Sequence, residues 1–405
     1  METAAPHLDL FDPALNADPF PVWDELRAID PVWRWEDADG WVVTGLAELE
    51  AVLRDPRFSP SRRYWSAYEP PEPVAESRGW ARLEDHALFH VTTADHTRLR
   101  RLVTKAFTPQ GIQTQQPFTQ ALVDRLIDGW EPGSHHDLAQ EVSYAVPSRV
   151  IANLLGLRDA DAQRFVDLAE DFLSIVDPMV TPEAAARADD AIEEVAVLLA
   201  DELAAREAMP VDERPDDLLA RLVAAEDEGD RLTHAEMEAL VISLVFAGTD
   251  TTANQISHGM IALLRNSDQR DRLVADPSLL EVAVEEVLRF GPPGKAMPHF
   301  AVEDVELGGH LVRKGQPVFF VMGGANRDPR AVADPNTFDL TRDNAAMVPF
   351  GIGAHYCLGA ALARLELRTV IGTLVARFPA MALAGEPELG MHVIMRPVLH
   401  LPVVV

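Results

Sequence analysis

The chain has 405 residues, 47% of them apolar, and its 65 acidic against 35 basic residues leave a net charge of −30. That length calls for two domains or one large many-helix domain, and the acidity argues against a nucleic-acid partner or an anionic membrane surface. No apolar run reaches spanning length, METAAPHLDLFDP has no signal-peptide character, and one cysteine rules out an internal disulfide or a multi-cysteine metal site, so a cytoplasmic protein in a reducing compartment is expected.

In chain order, GWVVTGLAELEAVLRDPRFSP predicts a short strand followed by a helix, and the proline-rich PPEPVAESRG from Pro70 to Gly79 predicts a mobile surface loop. Helical patterns dominate from Thr97 to Phe290. THAE at Thr233 and SLLE at Ser278 match the capping box, in which a hydroxyl and a carboxylate satisfy each other's orphan amides. The first opens a pattern running to Arg265, a rod about 45 Å long at the usual helical rise. Leu240, Leu244, Met260, Leu263 and Leu264 give that rod the periodicity of a buried central helix. After Gly291, AVEDVELGGHLVRKGQPVFFVM predicts short strands separated by Gly-Gly and Lys-Gly turns. A late helix follows to Phe378, and LHLPVVV reads as a terminal strand. The expected class is α+β, mainly α, as one domain over 1–405, with no repeat and no sharp internal boundary.

The single thiol, Cys357, sits in FGIGAHYCLG where a glycine-bearing loop turns into a helix. Free amides and the positive end of the helix dipole favour a thiolate there. A buried structural thiol is the ordinary outcome for a lone cysteine. A nucleophile paired with His355 is a second possibility, and a metal ligand a third. A lone thiolate suffices for haem iron, because the porphyrin supplies the equatorial ligands.

FGIGAHYCLGAALARLE resembles the haem-binding loop of the cytochrome P-450 family, F-G-x-G-x-H-x-C-x-G, with Phe350, Gly351, Gly353, His355, Cys357 and Gly359 in the matching places. The resemblance extends along most of the chain and implies haem b with Cys357 as axial thiolate, the one metal ligand. AGTDTT, Ala247 to Thr252, is similar to the family's oxygen-activation motif: Ala247 and Gly248 would leave room for dioxygen, and Asp250 with Thr251 would manage protons and water. The bland alternative has Thr251 bonding back to a carbonyl one turn earlier and Asp250 facing solvent. EEVLR carries Glu286 and Arg289, an ordinary surface spacing on its own and a structural ion pair in the family. His96 and Arg100, one turn apart in ADHTRLRRLVTKAFTP, would bind haem propionates, with His355 as a third donor; otherwise they form a solvated stripe. The family's usual arginine before A-x-x-D is here His299, which implies a propionate donor whose charge follows pH.

By the same correspondence Ser243, Phe246 and Ala247, then Lys295, Ala296 and Met297, then Ile394 and Met395, would line a mostly apolar substrate pocket. Lys295 could pair with a substrate carboxylate, but the preferred expectation is an amine extended to water. The resemblance implies a monooxygenase that takes O2 and a small or medium organic molecule, with electrons from a separate ferredoxin and ferredoxin reductase, acting as a monomer without a membrane span. Arg98, Arg101 and Lys105 form a local basic stretch that could dock an acidic carrier, or else expose ordinary solubilising charge. Oxidative coupling or desaturation at the same centre stays open, as does a catalytically silent haem-bearing recruitment module.

Overall fold

The computed structural model describes residues 7–68, 86–88, 91, 93–157, 159–172, 181–227, 229–392 and 394–405. The proline-rich stretch 70–79 lies outside the described residues. The helices that bear on the site are α1 (Pro13–Ala17), α2 (Leu46–Arg54), α3 (Thr93–Ala106), α4 (Ala145–Leu155), α5 (His234–Arg265), α6 (Leu280–Phe290) and α7 (Ala360–Arg377). Five strands share one sheet: β1 (Val32–Trp35), β2 (Gly40–Val43), β3 (Phe58–Ser59), β4 (Met297–Ala301) and β5 (Pro317–Phe320). Helices predominate, with a small strand-rich part, as the sequence predicts.

The chain resolves into two compact units, each built from separated stretches: Met1–Glu69, Ser257–Cys357 and Phe378–Val404 make one, and Pro70–Ile256, Leu358–Arg377 and Val405 the other. In the first unit the sheet order is β1-β2-β5-β4-β3, with β5 parallel to β2 and the other neighbours antiparallel. The parallel pair joins segments far apart in sequence, Val318 opposite Trp41, so the amino-terminal strand and the late strands form one sheet. Its buried face packs Val32, Val43, Ala301, Val318 and Phe320 against Leu46, Leu49 and Val52 of α2. The Gly-Gly turn is realised at Gly308 and Gly309, both at positive φ, between the short strands Val305–Leu307 and His310–Val312. LHLPVVV divides into two short strands, Val398–His400 and Pro402–Val404.

The pair in α6 is no surface pair: Glu286 and Arg289 are both fully buried. Arg289 donates to both carboxylate oxygens at 2.7 Å and to the carbonyls of Pro335 at 2.7 Å and Thr337 at 3.1 Å. Glu286 also receives the Asp339 amide at 2.9 Å and the Asn344 side chain at 3.1 Å. A buried ion pair is tolerable only when its remaining donors and acceptors are met, and here irregular backbone between Pro335 and Asn344 meets them. The second predicted capping box does not form. Asp276 caps this start instead, accepting from the Ser278 amide at 3.1 Å and hydroxyl at 2.6 Å; the Pro277–Leu279 turn places Ser278 inside a short 3-10 segment rather than at an N-cap.

In the second unit, α3, α4, α7 and the leading part of α5 supply the framework. The predicted box at Thr233 is present in both directions: its amide donates to Glu236 Oε2 at 2.8 Å, and the Glu236 amide donates to Thr233 Oγ1 at 3.3 Å. α5 then runs 32 residues to Arg265, and no described helix is long and apolar enough to cross a membrane.

Candidate functional site

In the first unit the loop before Cys357 is shaped by two glycines in the left-handed region, Gly351 at φ 68° and Gly353 at φ 75°. A side chain at Gly353 would bring a Cβ to 2.5 Å from the carbonyl oxygen of Leu53, so the loop lies against the end of α2 only because that position is bare. The Cys357 amide closes the loop onto the Phe350 carbonyl at 3.1 Å, and the thiol is half-buried. Cys357 stands just ahead of Ala360, where α7 begins, rather than in its first turn. Ahead of the loop, Asn326 accepts the Val348 amide at 2.9 Å while its carbonyl receives Arg289 at 3.3 Å. The buried pair in α6 therefore connects through one residue to the backbone that leads into the cysteine loop.

His299 lies on β4, and strand alternation puts it on the same face as Met297 and Ala301. It is buried at 5% exposure, its ring edge-on to His355 with centroids 6.0 Å apart and to Phe320 at 5.0 Å. Burial lowers its pKa to about 4, partly opposed by the Pro298 carbonyl, 3.1 Å from Nδ1. His299 is thus a neutral imidazole near pH 7, its Nδ1–H directed to that carbonyl. Its change of charge falls near pH 4, below the ordinary range for histidine.

The residues of this unit that the resemblance puts at a pocket come together as paired backbone. Gly294 bridges Met395, the Lys295 amide donates to Ile394 at 2.6 Å and the Arg396 amide to Pro293 at 2.8 Å. Met297, Ile394 and Met395 are each half-buried. The expectation that Lys295 extends its amine to water is overturned: the residue is 1% exposed. Its ammonium donates to the Leu10 carbonyl at 2.9 Å and to Asn16 Oδ1 at 3.2 Å, beside α1.

In the second unit, α3 buries His96 to 4% exposure, which removes the solvated-stripe reading for that residue. Burial first, and then the positive charge of Arg100, lower its pKa to about 4, as expected of two groups on one helical face. On α5, Ser243 is buried with its hydroxyl donating to the Ala239 carbonyl at 2.6 Å, and Phe246 and Ala247 are half-buried. A Cβ at Gly248 would lie 2.7 Å from Cδ1 of Ile151 on α4, so the bare position lets the two helices pack closely.

The bland alternative for Thr251 and Asp250 is half realised. Thr251 Oγ1 does donate to the carbonyl of Ala247 one turn earlier. Asp250, however, is not turned out to solvent: it accepts from Asn254 Nδ2 at 2.8 Å, and burial raises its pKa to about 6 against the pull of that hydrogen bond. A carboxyl so placed exchanges protons close to neutral pH.

The basic stretch on α3 is partly consumed within its own unit. Arg98 is bonded to Glu236 and to Asp230 at 3.2 Å, and Arg101 lies 3.9 Å from the same aspartate. Sequence reasoning missed one carboxyl, Glu366 on α7, which is 1% exposed with Oε2 making no hydrogen bond. Burial raises its pKa well above the ordinary value. The signal was present in Leu362, Leu365 and Val370, which place Glu366 on an apolar face at helical spacing.

Among known proteins, the family model described as cytochrome P-450 matches residues 61–389. The chain is 36% identical to cytochrome P-450 monooxygenase PikC of Streptomyces venezuelae over 92% of its own length and 86% of the relative's. To the vitamin D(3) 25-hydroxylase of Pseudonocardia autotrophica it is 36% identical, over 94% of this chain and 92% of the relative. Among solved structures, the epothilone D-bound cytochrome P-450epoK superposes with a TM-score of 0.89 at 32% identity, covering 99% of both chains.

Proposed function

The chain belongs to the cytochrome P-450 family, and from that premise we propose that it inserts one oxygen atom from O2 into a small or medium, mostly apolar organic substrate, drawing electrons from a separate ferredoxin and its reductase. Members of the family are haem b oxidoreductases with a cysteine thiolate ligand, and Cys357 is the one cysteine here. The residues fit such a group in each unit separately. In the first, a half-buried thiol stands on a loop kept bare by left-handed glycines; in the second, a buried histidine lies under the charge of Arg100. When bound, haem supplies the binding and reductive activation of dioxygen.

The chain's own residues hold the group and supply protons. Cys357 provides the anionic ligand, with Phe350, Gly351 and Gly359 shaping its loop. His96, Arg100 and His355 provide donors for propionates. His299, with Nδ1–H turned to Pro298, would offer only Nε2 to a propionate, and Nε2 donates only after taking up a proton, so this position would make haem retention depend on pH. By family correspondence the candidates for meeting substrate are Ser243, Phe246 and Ala247 in one unit and Met297, Ile394, Met395 and the backbone of Lys295 in the other.

Asp250 carries this reading: a carboxyl in the middle of a buried helix, with its pKa raised to about 6 next to Thr251, is poised to take and release a proton near neutral pH. A silent recruitment module has no use for such a group. Thr251→Ala should lower product formed per NAD(P)H consumed and raise hydrogen peroxide, with substrate affinity little changed. Unchanged product per NAD(P)H would remove Thr251 from proton delivery. The reduced, carbon monoxide-treated protein should show the strongly red-shifted Soret band of thiolate-ligated haem, and a band typical of histidine ligation would overturn the assignment.

A further inference from the structure

Asp250 does not stand alone on α5. Asn254, one turn on, donates from Nδ2 to both the Asp250 carboxylate Oδ1 at 2.8 Å and the Asp250 carbonyl at 2.9 Å. The other end of the same carboxamide, Oδ1, accepts the hydroxyl of Tyr144 at 3.3 Å. Tyr144 leads into α4 and is half-buried, while Asn254 is fully buried. All three residues lie in one unit.

A carboxamide has two nearly isosteric flip states, and its neighbours decide between them. With the NH2 group towards Asp250, it donates to the acid and accepts from the phenol. In the flipped state, oxygen would face both the Asp250 carboxylate and the Asp250 carbonyl, two acceptors with no donor between them, so the Asp250 end fixes the amide, while the phenol can donate or accept. The phenolic O–H then donates to the carboxamide oxygen so presented and braces the state in which Asn254 serves Asp250. That commits Oδ1 to Asn254 and makes Oδ2 the oxygen that carries the exchangeable proton.

We propose that Tyr144 is a positioning residue for the proton-delivering acid, acting through Asn254 to fix the rotamer of Asp250 and its readiness to ionise. The inference rests on the reading of Asp250 given above. An amide does not relay protons readily, so the chain Tyr144–Asn254–Asp250 is a brace and not a wire. The groups facing Asp250 agree with this. Burial and Asn254 set its proton affinity, and the Tyr144 phenol, itself raised by burial and by the charge of Asp250, stays neutral. Arg149 on α4 turns its guanidinium back to the Ala145 carbonyl at 3.2 Å.

The test is an infrared pH titration of the haem-loaded enzyme, in which the Asp250 carboxyl band is identified by its loss in Asp250→Asn. Tyr144→Phe should raise the Asp250 midpoint by about 0.5 to 1 pH unit, the size expected for one weakened hydrogen bond to a carboxylate. The acid limb of the kcat profile should move with it while KM stays put. Asn254→Ala should give at least as large a rise, and adding Tyr144→Phe to it should add nothing, because the phenol acts through the amide. An unmoved midpoint in Tyr144→Phe, or additive shifts in the double variant, would overturn the proposal. Asp250→Asn with unchanged product per NAD(P)H would instead overturn the role of Asp250 itself and leave the measured brace intact.

Discussion

Lys295 holds an ammonium group at 1% exposure with two acceptors, the Leu10 carbonyl and Asn16 Oδ1. Burial chiefly, and then the nearby Arg396 charge, bring its pKa down to about 8 from an ordinary 10.5. The sign follows: between about pH 8 and 10.5 the unfolded chain holds a proton that the folded protein has released, so this residue makes stability rise with pH across that window. Lys295→Met should lose that part of the rise. Near pH 7 relief of the desolvated charge and the two acceptors left without a donor act in opposite directions, so the slope with pH and not the midpoint at pH 7 is diagnostic. Denaturation midpoints of both proteins at pH 7.0 and above check this, and parallel curves for variant and parent would show that the amine does not titrate in the folded state. Sequence alone could not place this amine. Its partners lie 285 and 279 positions away in the chain, whereas Asp250 and Thr251 stand in a motif that is local.

Elements were legible to the degree that their signals were local. The helix from Thr233 to Arg265 declared itself by a capping box and by period, and the Gly-Gly turn by residues that tolerate positive φ. SLLE misled because Asp276, just upstream, competes for the same amide. The spacing of Glu286 and Arg289 could not reveal burial, since an i,i+3 pair on a surface is written the same way; what distinguishes it is the irregular backbone of 335–344, which has no period to read. Glu286→Gln keeps the shape and removes the charge, leaving the Arg289 guanidinium buried without its counter-ion. The expected loss is about 3–5 kcal/mol, read as a fall in the denaturation midpoint and as earlier loss of haem on heating, because Asn326 connects this network to the cysteine loop. A loss below about 1 kcal/mol, the size typical of a surface pair, would mean that the carbonyls around Arg289 neutralise it unaided.

At the scale of the molecule, neither compact unit is continuous in the chain: the second takes Leu358–Arg377 from the far side of the cysteine loop, so no single cut separates them. Net charge, by contrast, is fully legible, and it sets a physical cost. With 65 acidic and 35 basic residues, and with arginines such as Arg98, Arg289 and Arg330 already engaged by internal carboxylates, the excess negative charge repels itself across the surface. Such repulsion is long-ranged and screened, with a Debye length of about 30 Å at 0.01 M salt and about 8 Å at 0.15 M. Raising potassium chloride across that interval should therefore raise the melting temperature by several degrees, most steeply at the low end. The internal pair Glu286–Arg289, being buried, should contribute little to the change, so Glu286→Gln should melt lower at every salt concentration with a parallel slope. A melting temperature that falls with salt would mean that attractive surface pairs outweigh the excess of carboxylates, and the acidity would then have to be counted as locally compensated.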